Sequence, residues 1–250
     1  MIDPLHDLAS VREATDRLLT AAAGLDDSGA SAPSRLPGWS RGHVLAHLSR
    51  NADALVNVLE GRPMYVSAEA RESDIERDAR RPLAEQLADV RESAARFQSA
   101  CAAPADWSRT VELRNGITDA AARLPFRRLV EVELHHVDLG IGYELEDLPE
   151  EFTDREITFL AQRFAGRADV PPTRIVAAGK ASGGGSVNGS VGGSVGSAGE
   201  ASGEWHTGGT GGVPVTVTGP APALLGWLAG RRDGADLDSS GGLLPALPPL

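Results

Sequence analysis

The chain has 250 residues, of which 41% are hydrophobic, with 35 acidic against 24 basic side chains and a formal net charge of −11. That length fits one large or two modest domains, and the acidic balance argues against a nucleic-acid or anionic-membrane partner, whose phosphates call for a basic surface. No apolar run reaches the ~18 residues of a membrane span, and the single cysteine, Cys101, excludes an internal disulfide and a cysteine-rich zinc site. The opening MIDPLHDLAS has neither a basic stretch nor an apolar one of the secretory kind, so the sequence predicts a cytoplasmic protein, a monomer or weak oligomer.

In chain order, residues 4–24 carry Leu5, Leu8, Val11, Leu18 and Leu19 at helical spacing, with Asp3 and Pro4 suited to its start. Residues 25–39, rich in Ser, Pro, Gly and Asp, read as loop. Ser40 is an N-cap for a helix over 41–60, ending at Gly61, with Val44, Leu45, Leu48, Leu55 and Val56 as its stripe. A third helix is expected over 82–103, entered through Pro82. A fourth is expected within 118–143, on Leu129, Val130, Leu134 and Val137, and a fifth over 153–167. Long helices in a small domain suggest a bundle. The segment 179–212 is dominated by Gly and Ser, with Gly-Ser-Val recurring at 185–187, 189–191 and 193–195. It reads as a flexible low-complexity loop, with no phosphate-loop spacing. Strands are expected at 174–177 and 213–218, then a short helix at 220–229. The fold class is therefore α+β, a helical region over 1–168 and a small α+β domain over 169–250 carrying the Gly/Ser insertion.

Two helices offer ligand-type side chains four residues apart: His43 and His47 on one, Glu131 and His135 on the other. Positions i and i+4 share a helix face. Glu131 and His135 can therefore address one ion, and a third donor would complete a facial set of two histidines and a carboxylate suited to zinc or another divalent metal. On a helical wheel His47 lies nearer the stripe of Leu48, Ala52 and Leu55 than His43 does, which makes it the better third ligand. Asp138 returns to the face of Glu131 as either an outer hydrogen-bond acceptor or a solvated charge. His136 points the other way. The Glu131–His135 spacing is equally that of an ordinary helix-stabilising pair. Cys101, with no neighbouring base, reads as a small buried residue rather than a nucleophile. The four tryptophans are too scattered to form a binding cage, and no G-x-S-x-G elbow is present.

Four segments in order, LPGWSRGHVLAHLSRNADAL, PMYVSAEAR, EVELHHVDLG and GWLAGR, resemble the mycothiol-dependent maleylpyruvate isomerase family over most of the chain. The resemblance implies a DinB-like four-helix bundle with zinc on His47, Glu131 and His135, functional arginines at Arg71 and Arg231, and mycothiol as thiol cofactor. It implies isomerisation of a small dicarboxylate, maleylpyruvate, to fumarylpyruvate in gentisate-type aromatic catabolism. A thiol S-transferase or a zinc-dependent hydrolase on the same fold, or a non-enzymatic binding module, are the alternatives. The Gly/Ser tract is longer than the family pattern suggests.

Overall fold

The computed structural model describes residues 2–102, 106–178 and 203–249. Of the tract 179–212 expected to be a flexible loop, residues 179–202 lie outside the described residues. The chain divides into two compact units, Met1–Glu144 and Leu145–Leu250.

The first unit is built on four long helices: α1 (Pro4–Ala22), α3 (Arg41–Leu59), α5 (Leu83–Ala102) and α6 (Leu124–Leu139). The short helix α2 (Asp27–Ser31) lies between the first two of these, in the stretch expected to be all loop. Capping fixes the starts. Asp3 Oδ1 accepts from the Leu5 and His6 amides, and Ser40 Oγ accepts from the His43 amide while the Ser40 amide donates to His43 Nδ1. α3 packs on α5 and α6, and α1 on the same two helices. Their shared core includes Leu18, Leu45, Leu48, Leu55, Phe97, Leu124 and Leu139, all buried. Burying such side chains removes roughly 1.5–3 kcal/mol each of unfavourable hydration, which holds a bundle whose helices are individually marginal.

Two further elements of this unit were not expected from the sequence. The helix expected within 118–143 spans Leu124–Leu139, and ahead of it Thr110–Glu112 (β1) and Thr118–Ala120 (β2) pair antiparallel as a small hairpin. Asn115 at φ 61° and Gly116 at φ 71° turn its tip, and Pro125 in the first helical turn sets where α6 begins. A helix that periodicity did not reveal, α4 (Ala68–Asp78), is capped by Ser67, whose Oγ accepts from the Ala70 amide. It buries only Ile75 and Asp78, too few positions for a stripe. It docks on α3 through Ile75 and Ala79 against Ala46, with Trp39 alongside. Gly42 makes that approach possible: a Cβ there would sit 2.5 Å from the Ala79 carbonyl oxygen. That carbonyl also accepts from the buried Gln86 Nε2 at 2.9 Å.

The second unit holds α7 (Glu150–Phe164), strands β3 (Thr173–Ala177), β4 (Glu204–Thr207), β5 (Val215–Gly219) and β6 (Asp238–Ser239), and helix α8 (Ala221–Leu228). The sheet order is β4-β3-β5-β6, with β3 and β5 parallel and the other pairs antiparallel. α7 packs on β4 and α8. Within the stretch expected to be a loop, β4 is a correction. Trp205 supplies the apolar anchor the glycines lack: it is buried, and its Nε1 donates to Thr158 Oγ1 at 2.7 Å. No helix among the described residues is long and apolar enough to cross a membrane.

Gly42→Val forces a branched side chain against the Ala79 carbonyl and costs about 1–3 kcal/mol. Thermal unfolding should show a Tm several degrees below wild type, and a wild-type Tm would refute the close approach of α4.

Candidate metal centre

The facing sides of α3 and α6 carry a cluster of polar groups in the bundle interior. On α3, His47, Asn51 and Leu55 follow one another at four-residue steps, and on α6 Arg127, Glu131 and His135 do the same. The three side chains singled out by spacing, His47, Glu131 and His135, come together: each offers one ligand atom, and the three atoms lie within 4.8 Å of one another. Glu131 Oε2 is 2.9 Å from His47 Nε2 and 3.2 Å from His135 Nε2, and the two imidazole rings meet edge to face with centroids 4.7 Å apart. His43 takes no part; its Nε2 meets Glu76 at 2.9 Å. His136 stacks on Tyr143 with centroids 4.0 Å apart, away from the cluster.

The outer partners of the two imidazoles differ. His135 Nδ1 is 2.8 Å from Asp138 Oδ2, a carboxylate with no exposure. The ring thus has a carboxylate at each nitrogen, the setting of a protonated imidazole. Burial works against its charge, yet Asp138 and Glu131 outweigh it and raise its pKa above 6.5. His47 is lowered, chiefly by desolvation, against the pull of Glu131. Glu131 itself is resisted by desolvation but held well below the usual carboxylate range by hydrogen bonds from His135 and His47. On the far side of His47, Arg71 Nη2 donates to Nδ1 at 3.1 Å, which puts the ring proton on Nε2, facing Glu131. A ring that ligates through Nε2 carries its proton on Nδ1, where it and Arg71 would both be donors. The Arg71 contact therefore belongs to the ring without an ion.

The donor set fits a divalent cation. Two imidazole nitrogens and one carboxylate oxygen converge, and His135 has the outer carboxylate that orients a ligating ring. A cleft of about 200 Å³ opens beside His47 and Glu131, lined also by Asn51, Tyr65, Arg71, Arg114 and Arg127. A larger cavity of about 520 Å³ adjoins it, sharing the walls Met64, Tyr65, Leu113 and Arg114. Arg71 is half-buried, with its guanidinium 5.7 Å from the Tyr65 ring centre. Arg231 lies in the second unit just after α8, where its Nη1 donates to the Ala229 carbonyl at 2.8 Å. Cys101 is buried on α5, its thiol pushed up to about 12 by burial.

Sequence reasoning missed Trp39, Tyr65, Asn51 and Arg128 at this site. Trp39 lies beside His47 with ring centroids 5.6 Å apart. Arg128, fully buried, donates through Nη1 to the Leu48 carbonyl at 2.9 Å and to Asn51 Oδ1 at 2.8 Å. Desolvation lowers its pKa to about 10, which still leaves it charged at neutral pH. Tyr65 and Arg71 both fall in the PMYVSAEAR segment, which was the available signal. Arg128 had none, since an arginine on a helix normally reads as surface.

A helical bundle with a two-histidine, one-carboxylate cluster beneath an open cleft, followed by a small α+β unit, defines a two-part class of proteins with a candidate metal centre. The description "Mycothiol maleylpyruvate isomerase N-terminal domain" matches residues 11–140, and the "MDMPI C-terminal domain" matches residues 147–249. The chain belongs to the mycothiol maleylpyruvate isomerase family. A crystal structure of the mycothiol-dependent maleylpyruvate isomerase is similar at TM-score 0.80 and 25% identity, covering 99% of this chain and 97% of that one. Its histidine-to-alanine mutant matches at TM-score 0.79 and 24% identity, with the same coverage. Comparison with the curated proteins gave no match to the chain.

Zinc titration should separate the two outer contacts. Asp138→Asn weakens zinc binding by about 10–100-fold, the usual cost of losing an outer partner of a ligating histidine. Arg71→Ala does not weaken it, because the contact it removes exists only in the ion-free ring. Equal weakening by both substitutions would contradict the assignment. The raised pKa of His135 also fixes the sign of the pH effect. In the ion-free protein its stabilising contribution is complete below about pH 6.5 and fades as pH rises through the raised value. Zinc competes with that proton, so its affinity should rise with pH over the same window.

Proposed function

We propose that this protein is a mycothiol-dependent maleylpyruvate isomerase, converting the cis dicarboxylate to fumarylpyruvate with His47, Glu131 and His135 as metal ligands. The observation that carries this reading is the convergence of those three side chains beside a cleft that Arg71 also lines, in a chain whose two parts both match the family.

The chemistry requires the double bond to lose its double character for the time of one rotation. A thiolate adds to the conjugated carbon, and its electron pair forms the C–S bond. The π pair moves to the carbonyl oxygen as an enolate, and the former double bond, now single, turns. The pair then returns, the C–S bond breaks and the trans product leaves with the thiolate regenerated. A divalent ion held by His47, Glu131 and His135 would supply Lewis acidity that favours thiolate over thiol at neutral pH.

The protein's own side chains bind and orient. A planar guanidinium matches a carboxylate with two parallel hydrogen bonds, so Arg71 is suited to hold one end of the dianion. Arg231 enters as the second carboxylate partner through the GWLAGR resemblance. The nucleophile comes from outside the chain, a reading supported by the burial and raised pKa of Cys101. The adjoining cavity offers volume for a bulky thiol. The partners are therefore a small dicarboxylate and a thiol cofactor, with neither nucleic acid nor membrane, for a cytoplasmic monomer or weak oligomer.

Purified protein with zinc, mycothiol and maleylpyruvate should give fumarylpyruvate, followed by absorbance and by proton resonances of the product. Omitting the thiol should abolish turnover. Glu131→Ala should lose the metal and more than about 100-fold in rate, at least the loss seen for outer-shell changes at metal sites. Turnover without thiol would instead mark a hydrolase-type site, and a stable thioether product would mark an S-transferase.

A further inference from the structure

Arg128 is the largest of the fully buried side chains, and two of its donor atoms, Nε and Nη2, have no hydrogen-bond partner. Its Nη1 has two acceptors, and one of them is the side-chain oxygen of Asn51. A guanidinium has only donors, so the oxygen of the Asn51 amide must be the atom that faces it. That fixes which way the amide points. Its other end carries the Nδ2 donor, and Asn51, although buried, lines the cleft. Asn51 stands one turn after His47 on α3, and Arg128 one turn before Glu131 on α6. The pair thus bridges the two helices that carry the metal cluster, and it presents a neutral N–H donor to the space beside it.

We infer that Asn51, oriented by the buried Arg128, donates its Nδ2–H to the oxygen that becomes negative when a thiolate adds to an α-keto acid substrate in this cleft. This rests on the function proposed above. During addition the π pair ends on the carbonyl oxygen, and on elimination it returns. Asn51 supplies a hydrogen bond to that oxygen and neither gives up nor gains a proton. A fixed donor aimed at developing charge lowers the barrier without reorganising, because its orientation is set before substrate arrives. Arg128 touches no substrate and is a positioning residue.

The decisive substitution is Asn51→Asp. The carboxylate keeps an acceptor, now a charged one, for Arg128, so folding should be preserved, while the cleft loses its donor. The expected result is a kcat about 100–1000-fold below wild type, the loss typical of deleting one such donor, with little change in KM. Zinc content and Tm should stay at wild-type values. Asn51→Leu should show a similar kcat loss together with a lowered Tm, because Arg128 then loses a partner. A purely structural role would make kcat follow Tm and leave Asn51→Asp active. Wild-type kcat in Asn51→Asp, or a loss confined to KM, overturns the inference and leaves the proposed function standing. Absence of isomerisation by the wild-type protein with thiol and zinc overturns the reading of the site itself.

Discussion

An ionised carboxylate inside a helical bundle has to be answered by donors, and the α3–α6 interface is arranged around that requirement. Glu131 receives both imidazoles on one oxygen. Asp138, with no exposure, is answered by the outer nitrogen of His135. Arg128 lies buried one turn before Glu131, and its charge favours the ionised carboxylate. Negative and positive groups therefore alternate from Asp138 through His135 to Glu131, and the neutral ring of His47 meets Glu131 from the other side. Each is costly to bury alone, and together they tolerate the interior. The same network aims two nitrogens and an oxygen at one point, so the groups that balance the charge also form the ligand set. The helices contribute the repeat: four-residue steps bring His47 and Asn51 on α3, and Arg127, Glu131 and His135 on α6, onto the facing surfaces.

The cleft's walls come from elements outside the four long helices. α4 brings Arg71 in, and the segment before it brings Met64 and Tyr65. The β1–β2 hairpin brings Leu113, Arg114 and Ile117. The rigid floor belongs to α3 and α6, and the variable walls belong to loops and short elements, the division expected when a scaffold holds chemistry and connections select the substrate. Gly42 ties the two together. Without a Cβ it lets the end of α4 lie on α3, and the helix that presents Arg71 is positioned by that contact.

What could be read in the sequence follows from this division. The four long helices announced themselves through apolar period and caps, because each buries a continuous stripe. His47, Glu131 and His135 were legible because ligand-type residues at i and i+4 on a half-apolar helix restrict the geometry, and the family resemblance picked the same three. The hairpin was hidden in strands of three residues, too short for alternation to show. α4 was hidden because AEARESDIERD buries almost nothing. β4 was hidden because its one anchor, Trp205, sits among glycines. Asn51 and Arg128 were invisible for a different reason. Their meaning lies in a contact between residues 77 apart in sequence, and neither carries a local signal.

A net charge of −11 disfavours any anionic ligand at long range, and the cleft counters that field locally. Arg71, Arg114 and Arg127 all line a space of about 200 Å³, and of these Arg127 is partly neutralised by Asp119, at 2.6 Å. Salt screens the surrounding acidic surface over about 8–10 Å, whereas arginines lining a cleft act on a ligand at contact distance. Net charge therefore sets the field far from the protein, and the placement of a few guanidinium groups sets the field inside the cleft. The same separation accounts for the choice of nucleophile. The one cysteine is sealed in the core of α5, where it helps packing, and the cleft keeps room for a thiol that arrives from solution.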